Sequence, residues 1–116
     1  MIQKKSLTFA IRAVKLYKHI IKTQKEYVLS KQMLRSGTAI GALVREAEHG
    51  QSKADFLSKM NIALKEANET VYWLILLKET EYITESEYLP MHADAEELLK
   101  ILVSIVKTTK AKLKRN

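Results

Sequence analysis

The chain has 116 residues, with 20 Lys and Arg against 13 Asp and Glu, a formal net charge of +7, and 47% apolar and 28% charged residues. That length suits one domain that buries a real core, and that composition is ordinary for a soluble globular protein, not for a disordered or collagen-like chain. The lack of cysteine rules out disulfides and thiolate metal sites and is read here as a reducing, cytoplasmic setting.

Three glycines and one proline leave few places to turn. Few turns mean few, long elements, and hence helices. The start, Met1 to Phe9, lacks the apolar stretch of a secretory signal. The longest apolar runs, Val71 to Leu77 and Leu98 to Val106, fall far short of the ~20 residues of a membrane span. We expect a single domain over residues 1–116 and no membrane partner.

The spacing predicts a first helix from about Leu7 to Lys25. Leu7, Ala10, Ile11, Val14, Tyr17 and Ile21 recur on one face at the three-four interval of a helix. A second helix follows Ser30, a good N-cap, and ends at Gly50, which suits the left-handed position after a helix. The third opens at Ser52 with Asp55 three residues on, an acidic variant of the capping box. It carries the seam Leu57, Met60, Leu64, Ala67, Val71 and Leu74 and runs to about Glu79, roughly 40 Å at ~1.5 Å per residue. The fourth opens on Thr84 and Glu87, a full capping box, and bears Ala95, Leu98, Leu99, Leu102, Ile105, Val106 and Leu113. Pro90 allows a later start at that proline. Connections of about three to five residues force neighbours antiparallel. The expected fold is therefore all-α, an up-down-up-down antiparallel four-helix bundle.

Gly37 and Gly41 stand one turn apart in the second helix. Glycine there costs ~1 kcal/mol against alanine, which a close crossing by another helix offsets. The crossing is either within the chain or between subunits.

Two segments are too apolar for a single bundle stripe. Val71 to Leu77 is apolar on every face, and Leu98 to Val106 is broken only by Lys100 and Ser104. A helix apolar all round must be covered on its other sides. Self-association through Val71, Trp73, Leu76, Leu77, Ile101, Leu102 and Ile105 is the expected cover; a thick core around Tyr72 and Trp73 is the alternative.

Charge is one-sided along the chain. Residues 1–25 hold seven basic side chains and no acid, residues 107–116 hold five and no acid, and the 81 residues between are net −5. In an up-down bundle the start of the first helix and the end of the fourth share one end. Lys4, Lys5, Arg12, Lys15, Lys18, Lys22, Lys107, Lys110, Lys112, Lys114 and Arg115 are thus the candidate nucleic-acid contacts, with Arg45 and Lys53 close by. Glu26, Glu79, Glu81, Glu85 and Glu87 collect at the other end. No aromatics are interleaved with the basic residues, so binding to RNA or DNA would be led by phosphate. The competing reading is a solvated face and a soluble tail.

Catalytic patterns are thin. Glu46 and His49 form one Glu-x-x-His unit, whereas a di-iron bundle site needs two, plus two further glutamates. Arg45 and His49 are spaced more tightly than helical ribonuclease motifs. Glu66 and Glu69 suit ion pairs between helices or subunits better than acid and base roles. No His and Asp constellation activates a serine. We expect no enzyme, cofactor, metal or small-molecule substrate.

The run Leu29 to Leu77 resembles the signature of the four-helix bundle proteins named after 23S rRNA intervening sequences. The matching residues are Arg35 to Thr38, Ile40 to Ala42, Glu46-Ala47, Ser52, Asp55-Phe56, Ile62 to Ala67, Glu69-Thr70 and Tyr72 to Leu74. Phe9 to Tyr17 fits as well, so the resemblance spans nearly the whole chain. One departure is Leu43, where the family has Asn. A relative, the accessory variability protein of diversity-generating retroelements, shares the fold and is a basic homopentamer. The resemblance thus implies a pentamer that contacts nucleic acid, and it implies no enzymatic activity.

Overall fold

The computed structural model describes residues 1–115. It holds four helices, α1 (Ile2–Thr23), α2 (Leu29–Glu48), α3 (Lys53–Glu79) and α4 (Glu85–Arg115), and no strand among the described residues. Each helix packs antiparallel on its chain neighbours and α1 closes on α4, giving an up-down-up-down bundle 52 Å long. The core is mainly aliphatic, with Phe9, Ile20, Met33, Ile40, Met60, Leu74, Leu77, Leu98 and Leu102 fully buried.

The face of α1 differs from the expected one. Ile2, Ser6, Phe9, Ala13 and Ile20 point into the core, while Leu7 and Ile11 lie exposed. The helix carries two apolar stripes, and periodicity alone picks out the one that faces outward. The inner stripe wins because its small residues, Ser6 and Ala13, let α2 approach. A Cβ on Gly41 would stand 3.3 Å from the Ser6 carbonyl oxygen, and one on Gly37 would stand 3.2 Å from Ala13 Cβ. The close crossing is therefore within the chain, α1 on α2. Using that inner stripe also starts α1 at Ile2, five residues earlier than Leu7.

The helix ends follow chemistry only partly visible in the spacing. Ser52 caps α3 by accepting the Asp55 N–H at 3.0 Å. In α4 the Thr84 N–H donates to Glu87 at 2.8 Å and the Glu87 N–H to Thr84 Oγ1 at 3.2 Å, the full reciprocal box. Pro90 lies inside α4 and does not delay its start. In the second turn it removes one backbone bond, at the exposed Ser86 carbonyl.

Two expected caps are overturned. Ser30 is not the N-cap of α2; Glu26 is the capping group. Its carboxylate accepts the Val28, Leu29 and Ser30 N–H groups at 2.9, 2.8 and 2.7 Å. Ser30 sits inside the helix, its hydroxyl donating to the Glu26 carbonyl. Gly50 is not left-handed: no glycine has positive φ. A Cβ there would meet Asp55 Oδ2 at 2.6 Å, which the side chain can relieve by turning, and the Ala47 carbonyl at a tight 3.1 Å. The left-handed residues are Lys25 at φ 52° and Glu81 at φ 67°, just past α1 and α3.

Candidate nucleic-acid interface

The last turns of α4 are held on one side and bare on the other. Val106 and Thr109 are buried and Leu113 half-buried, while Lys107, Lys110, Lys112, Lys114 and Arg115 are all exposed. The buried Thr109 hydroxyl is satisfied by the Ile105 carbonyl at 2.7 Å. None of the five cations has an ion pair among the described residues. They occupy about 12 Å of helix at ~1.5 Å per residue. Over that length duplex DNA, with one charge per ~1.7 Å, offers more phosphates than the five cations can meet.

The basic residues of α1 are placed differently. Lys5 reaches Glu97 at 3.0 Å, and Arg12 pairs with Asp94. With His19 on Glu87 at 2.8 Å these pairs run the length of the α1–α4 seam. They also set the register. Lys5 stands opposite Glu97, so Met1 is level with about Ile101 and α4 runs past α1. Lys107 lies about 9 Å beyond that level at ~1.5 Å per residue. Lys5 and Arg12 are thus partly neutralised by acids of α4, which a count along the chain cannot reveal. Lys4 is free of ion pairs among the described residues and shares a groove between α1 and α2 with Arg45. Lys15, Lys18 and Lys22 are exposed but climb α1 toward the opposite end. The structure brings together the α4 cations, and Lys4 with Arg45, but not the whole set.

The expected self-association residues divide in the same way. Val71, Leu77 and Leu102 are buried within the chain and offer a second copy no surface. Trp73, Leu76, Ile101 and Ile105 are half-buried. Val71, Leu74 and Leu77 turn into the core, but the thick core expected around Tyr72 and Trp73 does not form, since Tyr72 is 57% exposed and Trp73 half-buried.

The strings Arg35-Ser36-Gly37-Thr38 and Glu66 to Trp73 stitch helices together. The Arg35 guanidinium reaches Glu66 at 3.1 Å and also pairs with Glu69. Hydrogen bonding to Glu66 raises the Arg35 pKa above its ordinary value, slight desolvation opposes this, and the charges of Glu66 and Glu69 add to it. Trp73 Nε1 donates to Glu69 at 3.0 Å. Glu66 and Glu69 are therefore ion-pair partners between helices of one chain. The indole's part in this network was missed in the spacing; Glu69 and Trp73 at i,i+4 were the available sign.

Among the described residues no group of three or more His, Asp or Glu side chains could hold a metal ion, and no helix is long and apolar enough to cross a membrane. Glu46 and His49 are both exposed.

Comparison with known proteins agrees with the signature. A crystal structure at 1.70 Å of a protein of unknown function from the S23 ribosomal protein family, from Bacteroides thetaiotaomicron VPI-5482, is 59% identical and superposes with a TM-score of 0.91. The match covers 92% of this chain and 99% of that one. No curated protein matches significantly. The profile of the 23S rRNA-intervening sequence protein family matches residues 1–104. With the signature residues on α2 and α3 and the four-helix architecture, this match shows that the chain belongs to the 23S rRNA-intervening sequence protein family.

Proposed function

We propose that this protein is a small, non-enzymatic, self-associating bundle of the cytoplasm that holds nucleic acid by its phosphates through the end of α4. The observation that carries this reading is the row Lys107, Lys110, Lys112, Lys114 and Arg115, exposed, unpaired among the described residues and free of any acid from Lys107 to Arg115. The family's name refers to the intervening sequence of 23S rRNA, and the relative of known structure is assigned to a ribosomal protein family. Both favour RNA as the polyanion. One such row binds weakly. Repeated around a ring, a pentamer by resemblance to the accessory variability proteins, it gains by avidity.

The test is filter binding of RNA and DNA at about 50 mM and 200 mM salt. Retention that falls steeply with salt supports the reading. The second reading, a scaffold between proteins, is favoured by Lys5 and Arg12, whose charge is already met by Glu97 and Asp94. No retention at about 50 mM salt selects it.

A further inference from the structure

Short of the basic end of α4, the bundle has two electrically opposite sides. Residues 1–50, which hold α1 and α2, carry ten basic and three acidic side chains, whereas residues 51–104 carry five basic and ten acidic. In a bundle where each helix packs on its chain neighbours, the α1–α2 edge and the α3–α4 edge lie on opposite sides.

Each edge also exposes large apolar groups that the core does not use. On α1 these are Leu7, 59% exposed, and Ile11, 48% exposed, the tip of the outward stripe. Beside them runs the groove floored by Ala10, Gly41 and Ala42, with Lys4 and Arg45 on its rim. On the far edge Tyr72 of α3 is 57% exposed and Leu89 of α4 is 55% exposed. Val103, two heptads along from Leu89 with Glu96 between them, is 37% exposed.

We infer that the α1–α2 edge of one copy seats on the α3–α4 edge of the next. The occupant of the groove is a second copy of this chain, and the inference rests on the self-association proposed above. Two observations choose this arrangement over a two-fold contact of one edge with itself. Like edges repel, since the α1–α2 half is strongly basic, and unlike edges attract. The heights also agree. His19 stands opposite Glu87, so Lys18 and Lys22 on α1 are level with Leu89 and Glu85 on α4. Leu7 and Ile11 lie between the Lys5–Glu97 and Arg12–Asp94 pairs, and Lys78 on Glu85 sets Tyr72 level with about Met91, and so with Ile11. Copies set side by side at equal height therefore bring Lys22 to Glu85 and Ile11 to Tyr72. Such a head-to-tail contact closes into a ring or runs on as a filament, and never stops at a symmetric dimer. Lys18 and Lys22 then serve the contact between copies, and the α4 row is left for nucleic acid.

The test mixes two variants of the full chain, each with one edge spoiled. L7E/I11E spoils the basic edge, and Y72E/L89E spoils the acidic one. All four positions are exposed, and circular dichroism checks that each variant keeps the wild-type helix content. Light scattering should give a wild-type mass several times 13.3 kDa and a mass of 13.3 kDa for each variant alone. Their equimolar mixture should give twice that mass and no more, because one sound contact remains per pair. If either pair does not fold, the neutral variants K18Q/K22Q and E79Q/E85Q replace it, with the same outcomes expected. A wild type of 13.3 kDa overturns self-association and this inference with it. An assembled wild type whose single-edge variants also assemble, or whose mixed variants stay monomeric, overturns the pairing of edges while self-association stands.

Discussion

Thr70 Oγ1 stands 2.8 Å from Ser36 Oγ in the buried seam between α2 and α3, and 2.7 Å from the Glu66 carbonyl oxygen. Both hydroxyls are fully buried. Ser36 has one further contact, the Met33 carbonyl at 3.4 Å. Thr70→Val keeps the shape and strands the Ser36 hydroxyl, which costs about 1–3 kcal/mol when a buried polar group loses its partner. Adding Ser36→Ala removes the stranded group and should restore part of that loss. Urea unfolding of the two singles and the double measures this coupling. Additive losses would show that the two hydroxyls act independently.

Glu81 holds φ 67° just past α3, where a residue with a Cβ is strained by roughly 1–2 kcal/mol. Glycine there relieves the strain but gives the unfolded chain more freedom, about 0.5–1 kcal/mol. Glu81→Gly should therefore leave stability level or raise it slightly, against the rule that new glycines destabilise. Glycine at Gln24, which is right-handed at φ −109°, should lower it. The paired melting temperatures check this; equal losses at both sites would contradict it.

Glu26 gives stability a pH dependence of known sign. Partial burial pushes its carboxyl up, but the N–H groups of Leu29, Ser30 and Val28 override this and hold it below its ordinary value. A carboxyl depressed on folding contributes stability that is present above the unfolded value, about 4.3, and is lost as pH falls through the lower folded value. Glu26→Gln should therefore cost about 0.5–2 kcal/mol near neutrality, the range for an N-cap. The gap from wild type should close below about pH 4. A gap that widens on acidification would contradict the capping role.

Much of the fold was legible because its signals are local. Ser52, Thr84 and Glu87 announce two helix starts, and the α3 seam announces its buried face. The errors lie where two local signals compete. On α1, Leu7 and Ile11 keep helical time as well as Phe9 and Ala13 do. Only the approach of Gly37 and Gly41 from α2 decides between them, and that is a tertiary fact. Ser30 is the better N-cap by type, yet Glu26, four residues earlier, accepts the Val28, Leu29 and Ser30 N–H groups and starts the helix sooner. The α4 cations were visible as an uninterrupted run. That Lys5 and Arg12 are met by Glu97 and Asp94 was not, because the register between the first and last helices is set by the whole bundle.

The central claim, that the end of α4 holds nucleic acid by its phosphates, is tested most directly by one filter-binding comparison. Wild type and K110Q/K112Q/K114Q/R115Q are titrated with two unrelated RNAs and two unrelated duplex DNAs at about 50 mM and 200 mM salt. The wild type should lose affinity with a log–log slope of about −0.9 per phosphate on duplex DNA and about −0.7 on single strands. The variant should bind all four ligands more weakly by similar factors, with a slope on duplex DNA shallower by up to about 3.6. A variant that binds like wild type, or a wild type that retains no nucleic acid at about 50 mM salt, would contradict the account.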